Sequence, residues 1–445
     1  MLLSIIIVSY NVRHYLRQCL DSVWRSAETA GVEVEVFVVD NRSADGSIEH
    51  IATAFPDKLS GNTPKARLHL IANQRNVGFG RANNQAVRQS KGDYILFLNP
   101  DTILSERTLK DCLEAVQKEE RLGAMGVQML RTDGRFAFES RRGLPTPWTA
   151  FCKMSGLATL FPRSRWFGKY YMRYLDENTV TPIEIVSGAF MLCSRQAIEE
   201  CGAFDETFFM YGEDIDLSYR FLQKGYRNIY VPTPILHYKG ESTQKNTYRY
   251  VHVFYQAMLI FFRKHFPTSS CILAVPVYLA IFLQAIFTLM RQRLNSLGRF
   301  LAPNRYRRPI TIQYVGPKES HTNIKAHQDA WGINLHCSTE VPTHSNADIV
   351  AFSAEHYSYE QILNLFKQSD HRSHLGTYFP STGTLILGSE VYSLSRLICH
   401  SNFVHSSLPT LIYSTSWRTT PLNGLLPHLL FPILASRSNN LLSAL

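Results

Sequence analysis

Asn99, Pro100 and Asp101 close the apolar run Tyr94-Ile95-Leu96-Phe97-Leu98. A carboxylate at the end of a buried strand is either a loop cap or a ligand for something cationic. Hard divalent cations take oxygen ligands and are commonly shared between one or two carboxylates and substrate phosphates. The pair here is Asn99 and Asp101, with Asp101 alone bringing charge. A second acid group follows in Tyr211-Gly212-Glu213-Asp214-Ile215-Asp216. Three acids at a helix start complement its dipole. Beside the apolar positions Leu217, Tyr219 and Phe221 they also form a crowded, partly desolvated cluster, which is how a general base is prepared. His237, in Ile235-Leu236-His237-Tyr238, is the imidazole to weigh with them, as a structural residue or as a metal ligand.

Two further stretches suit a nucleotide. In Val38-Val39-Asp40-Asn41-Arg42-Ser43 a strand delivers Asp40 to its end. That carboxylate either caps the following helix or accepts a hydrogen bond from a base N–H. In Asn76-Val77-Gly78-Phe79-Gly80-Arg81 two glycines precede a helical pattern with Ala82 and Ala86 on one face. Small residues and a helix N-terminus let a backbone approach an anion.

These residues need elements to hold them. Ser4–Val8, Val34–Val39, Leu68–Ala72 and Asp93–Leu98 read as strands. Val12–Ser26, Asp45–Phe55 and Arg81–Ser90 read as helices between them. Such alternation predicts a parallel α/β sheet, with ligands beyond the carboxyl ends of its strands. Asp40, Asn73 and Asp101 all lie just past a strand. Residues 183–193 read as one further strand, Asp214–Lys224 as a helix, Asn228–Val231 as a short strand, and the region of Tyr250 to Phe262 as a helix with one apolar face. Residues 271–290 are almost wholly apolar and flanked by basic residues, which suits a helix lying in a membrane surface or buried in a core. After a basic, Pro-flanked linker at Arg305–Arg308, the strand patterns Ile310–Val315, Ala347–Phe352 and Thr384–Leu387 and the helical pattern Tyr357–Gln368 form a small second α/β unit. No acidic residue follows Glu390, so the tail reads as an irregular extension or as sequence outside selection.

The whole chain has 445 residues, 45% of them hydrophobic and 18% charged, with a formal net charge of +10. It is long enough for two or three domains with full cores. Its charge suits an anionic partner such as a nucleotide or a phospholipid surface. No nucleic-acid motif occurs, and none is expected as a partner. The 8 cysteines form no C-x-x-C pair, which argues against zinc and fits a reducing compartment. The first residues read as a strand, not as a signal peptide.

In chain order the stretches IIIVSYN, VVDNRS, NVGFGRANN, LNPDT, SGAF, FDETFFMYGEDIDLSYR and ILHYKGES resemble family 2 glycosyltransferases of the GT-A fold, over roughly residues 1–265. Within that family they are most similar to the rhamnosyltransferase-like group of bacterial surface-polysaccharide synthesis. The resemblance implies a GT-A domain with a mixed central sheet at 1–265. An apolar, membrane-associated segment with a basic linker is expected at 266–308, the small α/β unit at 309–388 and the tail at 389–445. It implies that Ser9, Tyr10 and Asp40 line the nucleotide base, and that Asn76, Gly78, Asn84 and Asn99 stand near the donor. Asp101 is then the metal-binding acid of a DxD-type motif whose first acid is replaced by Asn99. Asp214 is the catalytic base with Glu213 beside it, and His237 completes the metal shell. The implied cofactor is Mg²⁺ or Mn²⁺. The implied partners are a nucleotide-sugar donor, a saccharide or lipid-linked saccharide acceptor, and a membrane surface, with the protein in the cytoplasm at the inner face of the cell membrane. The processive Q-x-x-R-W signature is missing. The alternatives are an inactive GT-A domain serving as a binding module and a nucleotidyltransferase. A chain ending near Arg308 is expected to keep nucleotide and metal binding.

Overall fold

The computed structural model describes residues 1–238 except 62 and 64, 248–267, 290, 310–388 except 343 and 344, and 391–392. The described residues belong to one compact unit, and Ser395–Leu445 lies outside them. The apolar stretch 271–290, all but its last residue, and the linker 305–308 also lie outside them.

The first sheet starts with four parallel strands, β1 (Leu2–Ser9), β2 (Glu33–Asp40), β3 (Ala66–Ala72) and β4 (Tyr94–Leu98), in the order β3-β2-β1-β4. Period-two side-chain alternation builds a core on each face. Leu3, Ile5 and Ile7 of β1 pack with Leu16, Leu20 and Val23 of the Arg13–Ala30 helix. Ile6 and Val8 face the other way, onto Ala82 and Ala86 of the Phe79–Val87 helix. The two alanines let that helix sit close to the sheet.

Beyond β4 the sheet is not parallel. With β5 (Thr102–Leu104), β6 (Leu122–Leu130), β7 (Thr181–Pro182), β8 (Phe190–Ser194) and β9 (Arg227–His237), the order continues β4-β8-β6-β9-β5, and β7 pairs with β9. β8 runs antiparallel to β4 and β6, and β5 and β7 run antiparallel to β9. The parallel sheet expected from alternation therefore holds only for its first half; the mixed sheet is the observed form.

Two strand expectations change. Residues 183–193 are not one strand: only Phe190–Ser194 is, and Ser187–Ala189 turn at its head. β9 is eleven residues long and not four, because an irregularity between Val127 and Gln128 of β6 skips Pro232 and Thr233.

The second sheet has β10 (Thr311–Val315), β11 (Asn334–Ser338), β12 (Ile349–Ser353), β13 (His374–Phe379), β14 (Thr384–Leu387) and β15 (Val391–Tyr392), in the order β11-β10-β12-β13-β14-β15. It extends past the expected limit at 388. It does not stand apart as a separate domain. Val12, Tyr15, Leu236 and Tyr238 share one buried cluster with Phe352, Tyr359, Phe366 and Phe379. Glu106 accepts from the N–H groups of Tyr359 and Glu360 at 2.9 and 2.7 Å, capping the Tyr359–Lys367 helix from the other sheet.

Candidate active site

Sheet register brings the first acid to the imidazole. Thr102 Oγ1 donates to the Asn99 carbonyl at 2.8 Å, which tightens the turn between β4 and β5. β5 then pairs with β9 so that Thr102 stands opposite His237. The Tyr238 N–H donates to the Asp101 carbonyl at 3.0 Å. Asp101 Oδ1 consequently lies 3.4 Å from His237 Nε2, and Asn99 Nδ2 lies 3.5 Å from the same nitrogen. Asp101 is only 3% exposed. His237 Nδ1 is buried without a hydrogen-bond partner.

A carboxylate oxygen and an imidazole nitrogen so close can ligate one divalent cation, with substrate phosphates and water filling the other positions. The donor set fits Mg²⁺ or Mn²⁺ in that shared arrangement. Among the described residues, no group of three or more His, Cys, Asp or Glu could hold a metal, so the protein alone would leave the shell open.

The second acid group opens the Glu213–Gln223 helix. Tyr211 and Gly212 precede it with φ of 68° and 84°, and this left-handed pair turns the chain into the cleft. Asp214 Oδ2 accepts from Arg142 and, at 3.0 Å, from the Gly188 N–H. Burial alone would lower the Arg142 pKa, but Asp214, with Tyr170 and Glu139 beside it, outweighs that and raises it. Glu213 is buried, and desolvation followed by the neighbouring Asp214 charge pushes its pKa up to about 8. Its Oε2 has no hydrogen-bond partner. Asp216 belongs to a different task. It is fully buried and meets Arg220, Lys264 and His265 at 2.7–2.8 Å, locking this helix to the Tyr248–His265 helix.

One cleft of about 310 Å³ collects Tyr10, Asn76, Gly78, Asn99, Asp101, Glu213, Asp214 and His237. Three other residues singled out in the sequence do not line it. The Ser9 side chain is fully buried. Asp40 turns back on its own loop, accepting from the N–H and Oγ of Ser43 at 2.8 and 2.5 Å. Asn84 clamps the backbone of Phe204, donating to its carbonyl at 2.8 Å and accepting its N–H at 3.1 Å. The cleft adds Glu139, Arg142 and Tyr170, which sequence spacing did not single out, and Asn41 and Gly188, which lie in quoted stretches without a site role of their own. Arg142 had no signal to find it by. It lies in an irregular stretch between β6 and β7, and only the fold carries it to Asp214.

Residues 4–202 match the family described as Glycosyl transferase family 2. Residues 4–202 are a family 2 glycosyltransferase domain. Its relatives include the N-acetylglucosaminyl-diphospho-decaprenol L-rhamnosyltransferase of Mycobacterium tuberculosis, 27% identical over 58% of this chain and 83% of that protein. The rhamnosyltransferase WbbL of Escherichia coli K12 is 27% identical over 56% of this chain and 91% of that protein. Both place the domain in a rhamnosyltransferase-like group. Among solved structures, the mannosyltransferase PcManGT of Pyrobaculum calidifontis, in complex with GDP-Man and Mn²⁺, aligns at 18% identity and a TM-score of 0.39. That alignment covers 68% of this chain and 81% of the other. S. aureus TarS 1–349 in complex with UDP-GlcNAc aligns at 18% identity and a TM-score of 0.38, over 59% and 67% of the two chains.

Proposed function

We propose that this glycosyltransferase moves a sugar from a nucleotide-diphosphate donor to a hydroxyl of a lipid-linked saccharide, with inversion at the anomeric carbon. The observation that carries the reading is the meeting of Asp101, His237 and Asp214 in one cleft, from three separate parts of the chain. Asp101 and His237 would hold Mg²⁺ or Mn²⁺, which when bound offsets the charge that develops on the leaving diphosphate. Asp214 takes the proton of the acceptor hydroxyl as its oxygen bonds to the anomeric carbon. The bond from that carbon to the diphosphate breaks, and its electron pair leaves with the nucleotide. One displacement of this kind inverts the centre. Asn76 and Gly78 border the donor, and Arg142 and Gly188 orient the base. The lipid-linked acceptor follows the mycobacterial relative, an N-acetylglucosaminyl-diphospho-decaprenol L-rhamnosyltransferase. It fits a cytoplasmic enzyme working at the inner face of the membrane.

Thermal shifts with UDP, GDP and dTDP, each with and without Mn²⁺, test the donor site. One nucleotide should raise the melting temperature more with Mn²⁺ than without. The Asp101→Ala chain should lose that metal-dependent increment and the transfer reaction, while keeping the melting temperature of the ligand-free protein. Wild-type turnover by Asp101→Ala with Mn²⁺ rules out the metal assignment. An inactive binding module would instead show the nucleotide shift with no transfer to any acceptor.

A further inference from the structure

Residues 140–175 hold seven basic residues, Arg141, Arg142, Lys153, Arg163, Arg165, Lys169 and Arg173, and no acidic one. The same stretch exposes large apolar side chains. Trp166 is 77% exposed and Leu160 72%, and about half of each of Trp148, Phe151 and Phe161 is open to solvent. They are one patch and not scattered residues. Trp148 stacks with Phe151 at 5.8 Å and meets Phe167 at 6.2 Å, and Phe167 meets Phe161 at 5.5 Å. The Trp148 indole N–H donates to the Trp166 carbonyl at 3.3 Å, tying the two ends of the stretch together. A contiguous cluster of exposed large apolar side chains marks an interaction site.

The patch runs into the cleft. Pro145, Ala150 and Lys153 of the same stretch wall an apolar cavity of about 250 Å³ with Phe254, Phe261 and other residues of the Tyr248–His265 helix. Tyr170, Tyr211 and Phe254 line both this cavity and the cleft that holds Asp214.

We infer that the Trp148–Trp166 segment is a docking surface for an anionic lipid bilayer. Tryptophan and phenylalanine beside lysine and arginine suit the headgroup region, where apolar rings enter the acyl boundary and cations meet lipid phosphates. Charge complementarity selects a bilayer over a protein partner here: Arg163, Arg165 and Arg173 are exposed beside the rings with no acidic residue in the stretch, while Arg141 is buried, Arg142 pairs with Asp214 and Lys169 with Glu184. Docking there presents the apolar cavity to the membrane beside the base. A lipid-linked acceptor then reaches Asp214 without leaving the bilayer. The inference deepens the acceptor reading and rests on it, but it uses other residues. Among the described residues no helix is long and apolar enough to cross a membrane.

The full-length chain is floated with vesicles of phosphatidylcholine alone and with vesicles that also contain phosphatidylglycerol. Binding to the anionic vesicles is expected, and high salt should weaken it. The L160S/F161S/W166S variant removes exposed side chains only, so its circular dichroism and melting should match wild type. Its vesicle binding should fall by at least ~10-fold, and R163E/R165E should fall similarly on anionic vesicles. Residues 271–290 stay in every variant, so the loss reads the patch alone. The variants should keep the metal-dependent nucleotide shift, which separates this test from that of the transfer reaction. Wild-type binding by L160S/F161S/W166S overturns the inference. Equal binding to the neutral vesicles overturns it too, as does a wild-type chain that binds no vesicle.

Discussion

Asp214 is held on more than one side. Arg142 and the Gly188 N–H take Oδ2, and the Ile215 N–H donates to Oδ1 at 2.8 Å. A carboxylate has about four acceptor sites, so capacity remains for an incoming hydroxyl. Asp214→Asn keeps the shape but not the basicity. Transfer should fall by at least ~10² while nucleotide binding persists, and lost binding with unchanged chemistry would make Asp214 a donor residue. Arg142→Ala leaves a nearly buried carboxylate without its cation, which costs on the order of 3–5 kcal/mol when such a pair is broken. If Arg142 orients the base, the turnover number falls more than the acceptor KM rises, and Arg142→Lys restores part of it. Glu213 makes the opposite statement. With its folded pKa at about 8, it stays protonated at neutral pH beside the Asp214–Arg142 pair. The folded state then binds a proton that the unfolded chain has released. Stability is therefore highest below the unfolded value near 4.5, declines as pH rises toward 8 and levels off above it. Glu213→Gln should flatten that slope and stabilise the protein at pH 8 on the order of a few kcal/mol. Denaturant melts from pH 5 to 9 measure it. An unchanged slope would mean that Glu213 ionises freely in the folded state.

The turn before the Phe79–Val87 helix shows how an element sets the site. Gly78 has φ of 89°, and a Cβ there would lie 2.6 Å from the Phe209 carbonyl oxygen. That carbonyl accepts the Phe79 N–H at 2.8 Å, so both partners are fixed backbone. Gly78→Ala should destabilise by about 1–3 kcal/mol and weaken nucleotide binding, because Asn76 and Phe209 both border the cleft. Gly156→Ala is the control, with φ of 82° and nothing within 4 Å of its Cβ. Equal losses from the two would reduce the effect to backbone strain. Elements of this kind were partly legible. The runs of β1, β2 and β4 are apolar and bounded, and their ends carry the acids, so the Asp101 turn could be read directly. β9 could not be read at full length. Pro232 and Pro234 look like strand breakers until the β6 irregularity accommodates them. The start of Phe190–Ser194 is not legible within residues 183–193, because Ile183 and Ile185 are as apolar as the strand while the chain turns at Ser187–Ala189 to reach Asp214. Asp40 and Asn84 illustrate the converse. Their motifs are visible in the sequence, yet their polar atoms are spent on Ser43 and Phe204, and spacing carries no information about that. Lys264 and His265 lie far along the chain from Asp216, and only the packing of two helices makes them its partners.

At the scale of the whole molecule, the second sheet backs the strand end that carries His237. Tyr238, the next residue, packs edge-on against Tyr15 at 5.1 Å and donates to Gln18 at 3.1 Å. Gln18 donates to Thr377 at 2.7 Å, and Tyr15 donates to the Leu387 carbonyl at 2.9 Å. A chain of four side chains thus runs from β13 and β14 to the neighbour of a candidate metal ligand. No described residue after His265 lines the cleft. A chain ending at Arg308 should therefore keep nucleotide binding, as the sequence implies, but not its full metal affinity. It would expose Val12, Tyr15, Leu236 and Tyr238, so it should also aggregate. Each large apolar side chain uncovered costs about 1.5–3 kcal/mol, which is a large share of a domain's net stability. Replacing Tyr15 and Val12 with polar residues in the truncated chain should restore a monodisperse protein. Titrating Mn²⁺ in the presence of nucleotide against it and against the full chain with the same two substitutions then isolates the support that the second unit gives to His237. Weaker Mn²⁺ binding with unchanged nucleotide binding identifies the second unit as a brace for β9. Equal Mn²⁺ affinity in the truncated and full chains would leave it no part in the site.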